Sequence, residues 1–78
     1  MTGPSDDEIA QVLMTLAHAR GFEKTFCPSE AARRLSKDWR PLMPRIRKIA
    51  EGLPLKFTQK GVVVDPRAAR GAARLSLR

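Results

Sequence analysis

Residues 28–64 read PSEAARRLSKDWRPLMPRIRKIAEGLPLKFTQKGVVV, and the order of signals inside this stretch decides the fold. Pro28 suits the first position of a helix, where a missing amide costs nothing, and Glu30 suits the first turn. Ala31, Ala32 and Leu35 then share one face and Arg33 the other, which predicts a short helix over 28–35. Trp39 falls in the turn that follows, where a large ring can wedge two helices together. Pro41 and Pro44 come next, and because Pro44 lacks an amide that should close a first turn, the spacing predicts a tight turn over 40–43 and regular helix over 44–52. In that helix Leu42, Ile46, Ile49 and Leu53 fall within an arc of roughly 40–60° at about 100° per residue, with Met43 and Ala50 at its margin. Arg40, Arg45, Arg47 and Lys48 occupy the remaining circumference, interrupted by Glu51. Leu55 and Phe57 alternate with Lys56 and Thr58 as a half-buried strand does, Lys60-Gly61 reverses the chain with Gly61 supplying a positive φ, and Val62 to Val64 return.

Helix, turn, basic helix and basic hairpin in this order is the layout of a winged helix-turn-helix, whose basic helix can enter a DNA major groove. The expected class is therefore α+β, mostly α: three helices plus a small antiparallel hairpin or sheet. Upstream, Ser5-Asp6-Asp7-Glu8 fits a capping box and starts a helix whose apolar face is Ile9, Val12, Leu13, Leu16 and Ala17, with Gln11, Thr15 and His18 outward and Gly21 as its end. Residues 22–27 are β-prone at their end and predict a small first strand. Downstream, Asp65-Pro66 can cap one helical turn through Arg70, and Ala73, Leu75 and Leu77 alternate with Arg74, Ser76 and Arg78 like an edge strand. Residues 1–4 are expected to be disordered and 66–78 to form a basic tail.

A 78-residue chain fits one domain with one small core and leaves little room for an enclosed active site. Its 15 Lys and Arg against 8 Asp and Glu give a formal charge of +7, which favours polyanionic partners. Cys27 is alone, so no internal disulfide forms, a zinc site lacks its companions, and a reducing cytoplasm is the natural compartment. No apolar run reaches the ~20 residues of a membrane span, so no membrane partner is expected.

The candidate nucleic-acid contacts are Arg45 and Lys48 toward the groove, Arg40 and Arg47 toward phosphates, Lys56 and Lys60 on the wing, and Arg67 and Arg70 beyond it; Arg74 and Arg78 would extend the same surface. A merely solvated helix face and a solubilising tail are the plain alternatives. Stacking on single-stranded bases is disfavoured because the chain has no Tyr and its Phe residues suit the core. Cys27 before Pro28 suggests a thiolate at a helix start or, more simply, a small half-buried residue. No paired carboxylates, Gly-rich phosphate loop or nucleophile–base pair is present, so no catalytic residue, cofactor or metal site is expected. Two partners fit: double-stranded DNA, or a protein docking through Trp39, Met43 and the basic surface.

Four motifs in order, Phe26-Cys27-Pro28-Ser29-Glu30-Ala31-Ala32-Arg33, Trp39-Arg40-Pro41-Leu42-Met43-Pro44, Thr58-Gln59-Lys60-Gly61, and Val64-Asp65-Pro66 followed by Ala69-Arg70-Gly71, resemble a small bacterial family of domains of unknown function, family 3253 of that series. The resemblance runs from Ile9 to Leu77 and implies a winged-helix-like architecture. The family carries no established activity or ligand set, so no functional residue transfers. The chain departs from the family pattern at the compact Glu51-Gly52-Leu53-Pro54 exit and at Ala72-Ala73.

Overall fold

The computed structural model of the protein describes residues 3–22, 24–65 and 73–77. Helix α1 spans Asp6–Arg20 and opens on the predicted capping box: the Glu8 amide donates to Ser5 Oγ at 3.2 Å and the Ser5 amide donates to Glu8 Oε1 at 3.0 Å. Asp6 and Asp7 add negative charge at the positive end of the helix dipole. Ile9, Leu13, Leu16 and Ala17 are buried, Val12 is half-buried, and Gln11, Thr15 and His18 are exposed. Gly21 ends the helix at φ 81°, with its amide donating to the Ala17 carbonyl. A side chain there would be strained.

Helix α2 covers Pro28–Leu35, with Pro28, Ala31 and Ala32 buried. A 3-10 turn at Arg40–Leu42 then leads into α3, Met43–Glu51. The turn accommodates Pro41, and Pro44 falls in the first turn of α3, where amides have no intrahelical acceptor to lose. The core face of α3 is rotated from the expected arc: Ile46 and Ala50 are fully buried, whereas Leu42, Met43, Ile49 and Leu53 are half-buried. Ala50 therefore belongs to the centre of the face, where its small side chain, like Ala31 and Ala32 of α2, suits close helix packing.

Three strands, β1 Leu55–Gln59, β2 Val62–Val64 and β3 Arg74–Leu77, form an antiparallel sheet in the order β2-β1-β3. Gln59 pairs with Val62, so the hairpin loop is the two residues Lys60 and Gly61, at φ 52° and 80°. Both are left-handed, the geometry whose twist matches that of the strands it joins. On its other side β1 pairs with β3 from Leu55↔Leu77 to Thr58↔Arg74.

Two expectations are corrected in this region. The first strand expected over 22–27 reduces to a single bridge, in which Phe26 and Leu75 exchange hydrogen bonds of 2.8 Å. Pro28 removes a ladder donor two residues later and commits the chain to α2, so the pairing cannot lengthen past Cys27. Ser76, expected to face outward, is only 2% exposed. Alternation assumes a solvated second face, and at Ser76 the second face of β3 is covered as well.

The buried side chains form one cluster drawn from α1, α2, α3, β1, β3 and Phe26. The three helices contact one another pairwise, and the sheet joins them mainly through β3 against α1. The molecule is thus α+β and mostly α. The helical turn expected at 66–70, with Arg67 and Arg70, lies outside the described residues, as do Arg78 and residues 1 and 2.

Candidate nucleic-acid interface

Because Ile46 and Ala50 define the core side of α3, the angular step of about 100° per residue puts Lys48 diametrically opposite the core. Lys48 is exposed there. Arg45 lies on one flank and Arg47, half-buried, on the other, with exposed Glu51 next to Arg47. Arg40 is exposed at the start of the 3-10 turn that feeds α3. In the wing, Lys60 is exposed at the tip, and Lys56, half-buried, lies on the face of β1 away from Leu55 and Phe57.

Arg45 is not an unattached cation. Its Nε and Nη2 both donate to Asp6 Oδ1, at 2.9 and 2.6 Å, linking α3 to the first turn of α1. The side chains remain 43% and 72% exposed, so the pair is a solvent-screened contact contributing at most about 1 kcal/mol. A phosphate competing for Arg45 meets the acidic start of α1 beside it. Two other cations are also committed within the fold: Arg20 pairs with Glu30 at 2.6 Å between α1 and α2, and Arg74, a possible extension of the surface, donates instead to Thr25 Oγ1 at 2.6 Å and to the Thr25 carbonyl at 3.1 Å.

A cation cluster that the periodicity did not single out lies at the α2–α3 elbow. The guanidinium carbons of Arg33 and Arg40 stand 4.8 and 4.7 Å from the centroid of the Trp39 ring. Trp39 is half-buried and packs against the core, which agrees with the boundary role expected for it. The available signal was an arginine on the outward face of α2 with a Trp-Arg pair in the turn after it. The contact of Arg45 with Asp6 left no such trace, since the two are 39 positions apart.

Cys27 is half-buried, and its Sγ accepts a hydrogen bond from Ser29 Oγ at 3.0 Å. Among the described residues no group of three or more His, Cys, Asp or Glu could hold a metal, and no helix is long and apolar enough to cross a membrane.

The wing tip provides a local test of the turn. Lys60 adopts a left-handed φ that costs an ordinary residue about 1 kcal/mol, whereas Asn tolerates it. Lys60→Asn is expected to raise stability by about 0.5–1 kcal/mol in chemical denaturation. If Lys60 touches a phosphate, the same change weakens duplex binding and lowers the salt slope by about 1, so stability and affinity move in opposite directions.

Three helices, a three-stranded antiparallel sheet and a basic third helix define a small domain of winged-helix-like layout. The chain matches the family described as "Protein of unknown function (DUF3253)" over residues 6–78, and it belongs to that family. No curated protein matches its sequence.

Proposed function

We propose that this domain is a non-enzymatic, cytoplasmic module that binds double-stranded DNA, with α3 in the major groove and the β1–β2 hairpin against the flanking backbone. The observation that carries the reading is the placement of Lys48 on the exposed ridge of α3, opposite the core, between the cationic flanks Arg45 and Arg47. A helix of this size fits the groove, and cations along its outer surface can reach phosphates and guanine edges. Arg40 at the helix entry and Lys56 and Lys60 on the wing supply phosphate contacts on either side, and Arg67 and Arg70 are further candidate contacts that lie outside the described residues. The net charge of +7 favours the encounter itself.

The alternative, a protein-interaction module anchored on Trp39 and Met43, calls for a bare apolar face there. Both residues are instead half-buried against the core, and the indole ring carries two guanidinium groups. The large apolar side chains that are most exposed lie elsewhere, at Phe22, Val62 and Val63.

The test is a titration with a short random-sequence duplex at several salt concentrations, following affinity and backbone amide shifts together. Shifts at 45–48 and 56–61, with log K falling by about 0.9 per phosphate contact for each decade of salt, are the expected result. No shifts even at low salt would retire the DNA reading and turn the search to a protein partner.

A further inference from the structure

Among the described cations, several are already engaged by the protein: Arg20 by Glu30, Arg45 by Asp6 and Arg74 by Thr25. The segment 33–40 differs. It holds four cations, Arg33, Arg34, Lys37 and Arg40, against one acid, Asp38, and all four are exposed. No carboxylate among the described residues lies within ion-pair distance of any of them. Like charges this closely spaced repel, and Asp38 is the one acid within the segment.

Two of these cations are nonetheless held in place. Arg33 comes from the last turn of α2 and Arg40 from the 3-10 turn, and both guanidinium groups rest within 5 Å of one indole centroid. The attraction is between each cation and the electron-rich ring, and it takes up no hydrogen-bond acceptor of the protein. Each arginine brings N–H donors in the planar fork that matches two oxygens of one phosphate. Trp39 also packs against the core, which gives this pair of forks a rigid base where a long arginine would otherwise lose conformational entropy on binding.

We propose that Arg33 and Arg40, stationed on Trp39, form a phosphate-binding site for the DNA backbone at the α2–α3 elbow, in addition to the contacts of α3 and the wing. The inference rests on the DNA-binding reading and adds Arg33 as a contact and Trp39 as a positioning residue. Lys37 and Arg34 enlarge the positive field around the site.

The chain contains one Trp and no Tyr, so its intrinsic emission reports Trp39 directly. The experiment compares wild type, Arg33→Gln/Arg40→Gln, Trp39→Leu and Trp39→Phe for binding a short random-sequence duplex across a salt series, with circular dichroism confirming the fold of each variant. Wild-type emission is expected to change on saturation. The double Gln variant is expected to bind at least tenfold more weakly at low salt and to lose about 2 from the slope of log K against log salt, one for each phosphate contact. Trp39→Leu should lose part of that slope although every cation is retained, and Trp39→Phe, which keeps an aromatic face, should recover it.

Wild-type affinity and slope in the double Gln variant, alongside lost binding when α3 is altered, would overturn the elbow site and leave the DNA reading standing. No duplex binding by wild type at low salt would remove both together. Should Trp39→Leu unfold, the double Gln variant, which alters exposed side chains only, still decides.

Discussion

Arg45→Glu combined with Lys48→Glu is expected to reduce duplex affinity by at least a hundredfold at low salt without unfolding the domain. Each reversal replaces an attraction to the phosphate backbone by a repulsion, and the two residues sit on the flank and the crest of the same α3 surface. Both side chains are exposed, so neither change leaves a cavity or an unpaired buried charge. Among the described residues the loss is the Arg45–Asp6 contact, at most about 1 kcal/mol in this exposed setting. Affinity by fluorescence anisotropy and stability by chemical denaturation separate the two effects. Unchanged affinity in a folded double variant would sink the assignment of α3 to the groove.

The contact with Asp6 also gives the individual residues different weights. Among the described residues Lys48 has no ion-pair partner, whereas Arg45 has to leave or share a carboxylate to reach DNA. Lys48→Glu alone should therefore account for most of the loss.

The second large effect concerns stability. Phe26→Ala is expected to destabilise the domain by about 3–5 kcal/mol, the range for removing a fully buried aromatic ring. A 78-residue domain has a total of only roughly 4–12 kcal/mol, so the variant should lose from about a quarter to all of its stability. Phe26 is the strongest single choice because its ring lies in the core while its backbone forms the bridge to Leu75. Urea unfolding followed by Trp39 emission measures the change. A loss below about 1 kcal/mol would mean that the segment between α1 and α2 is not integral to the core.

What the sequence disclosed and what it concealed divide by range. The capping box at Ser5, the start of α2 at Pro28, the tight turn after Trp39 and the hairpin at Lys60-Gly61 are each set by residues a few positions apart, and each is found where it was expected. A glycine advertises the positive φ at Gly61, but Lys60 takes one too because a two-residue loop of this type needs it at both positions. Long-range features were less accessible. The shrinkage of the first strand to one bridge, the burial of Ser76 and the pairing of Arg45 with Asp6 all depend on which segments meet in space. The rotation of α3 has a similar origin: helical spacing marks an apolar stripe but not which edge its neighbours press against, and here they press on Ala50. Of the candidate site, the cationic surface of α3 and the wing could be read directly from charge and period. The elbow cluster could not, because it needs the end of α2 to approach Trp39.

The position of β3 bears on how the domain comes into being. Ala73, Leu75 and Leu77 complete the core, and their strand lies between β1 and Phe26 while packing against α1. During synthesis on a ribosome, the helices and the hairpin emerge first, while the strand that closes their core is still inside the exit tunnel. The apolar faces of α1 and β1 must wait, exposed, until residue 77 has left the exit tunnel, and only then can cooperative folding proceed. A nascent chain halted before residue 73 should therefore engage chaperones and resist compaction, and one extended well past residue 77 should not.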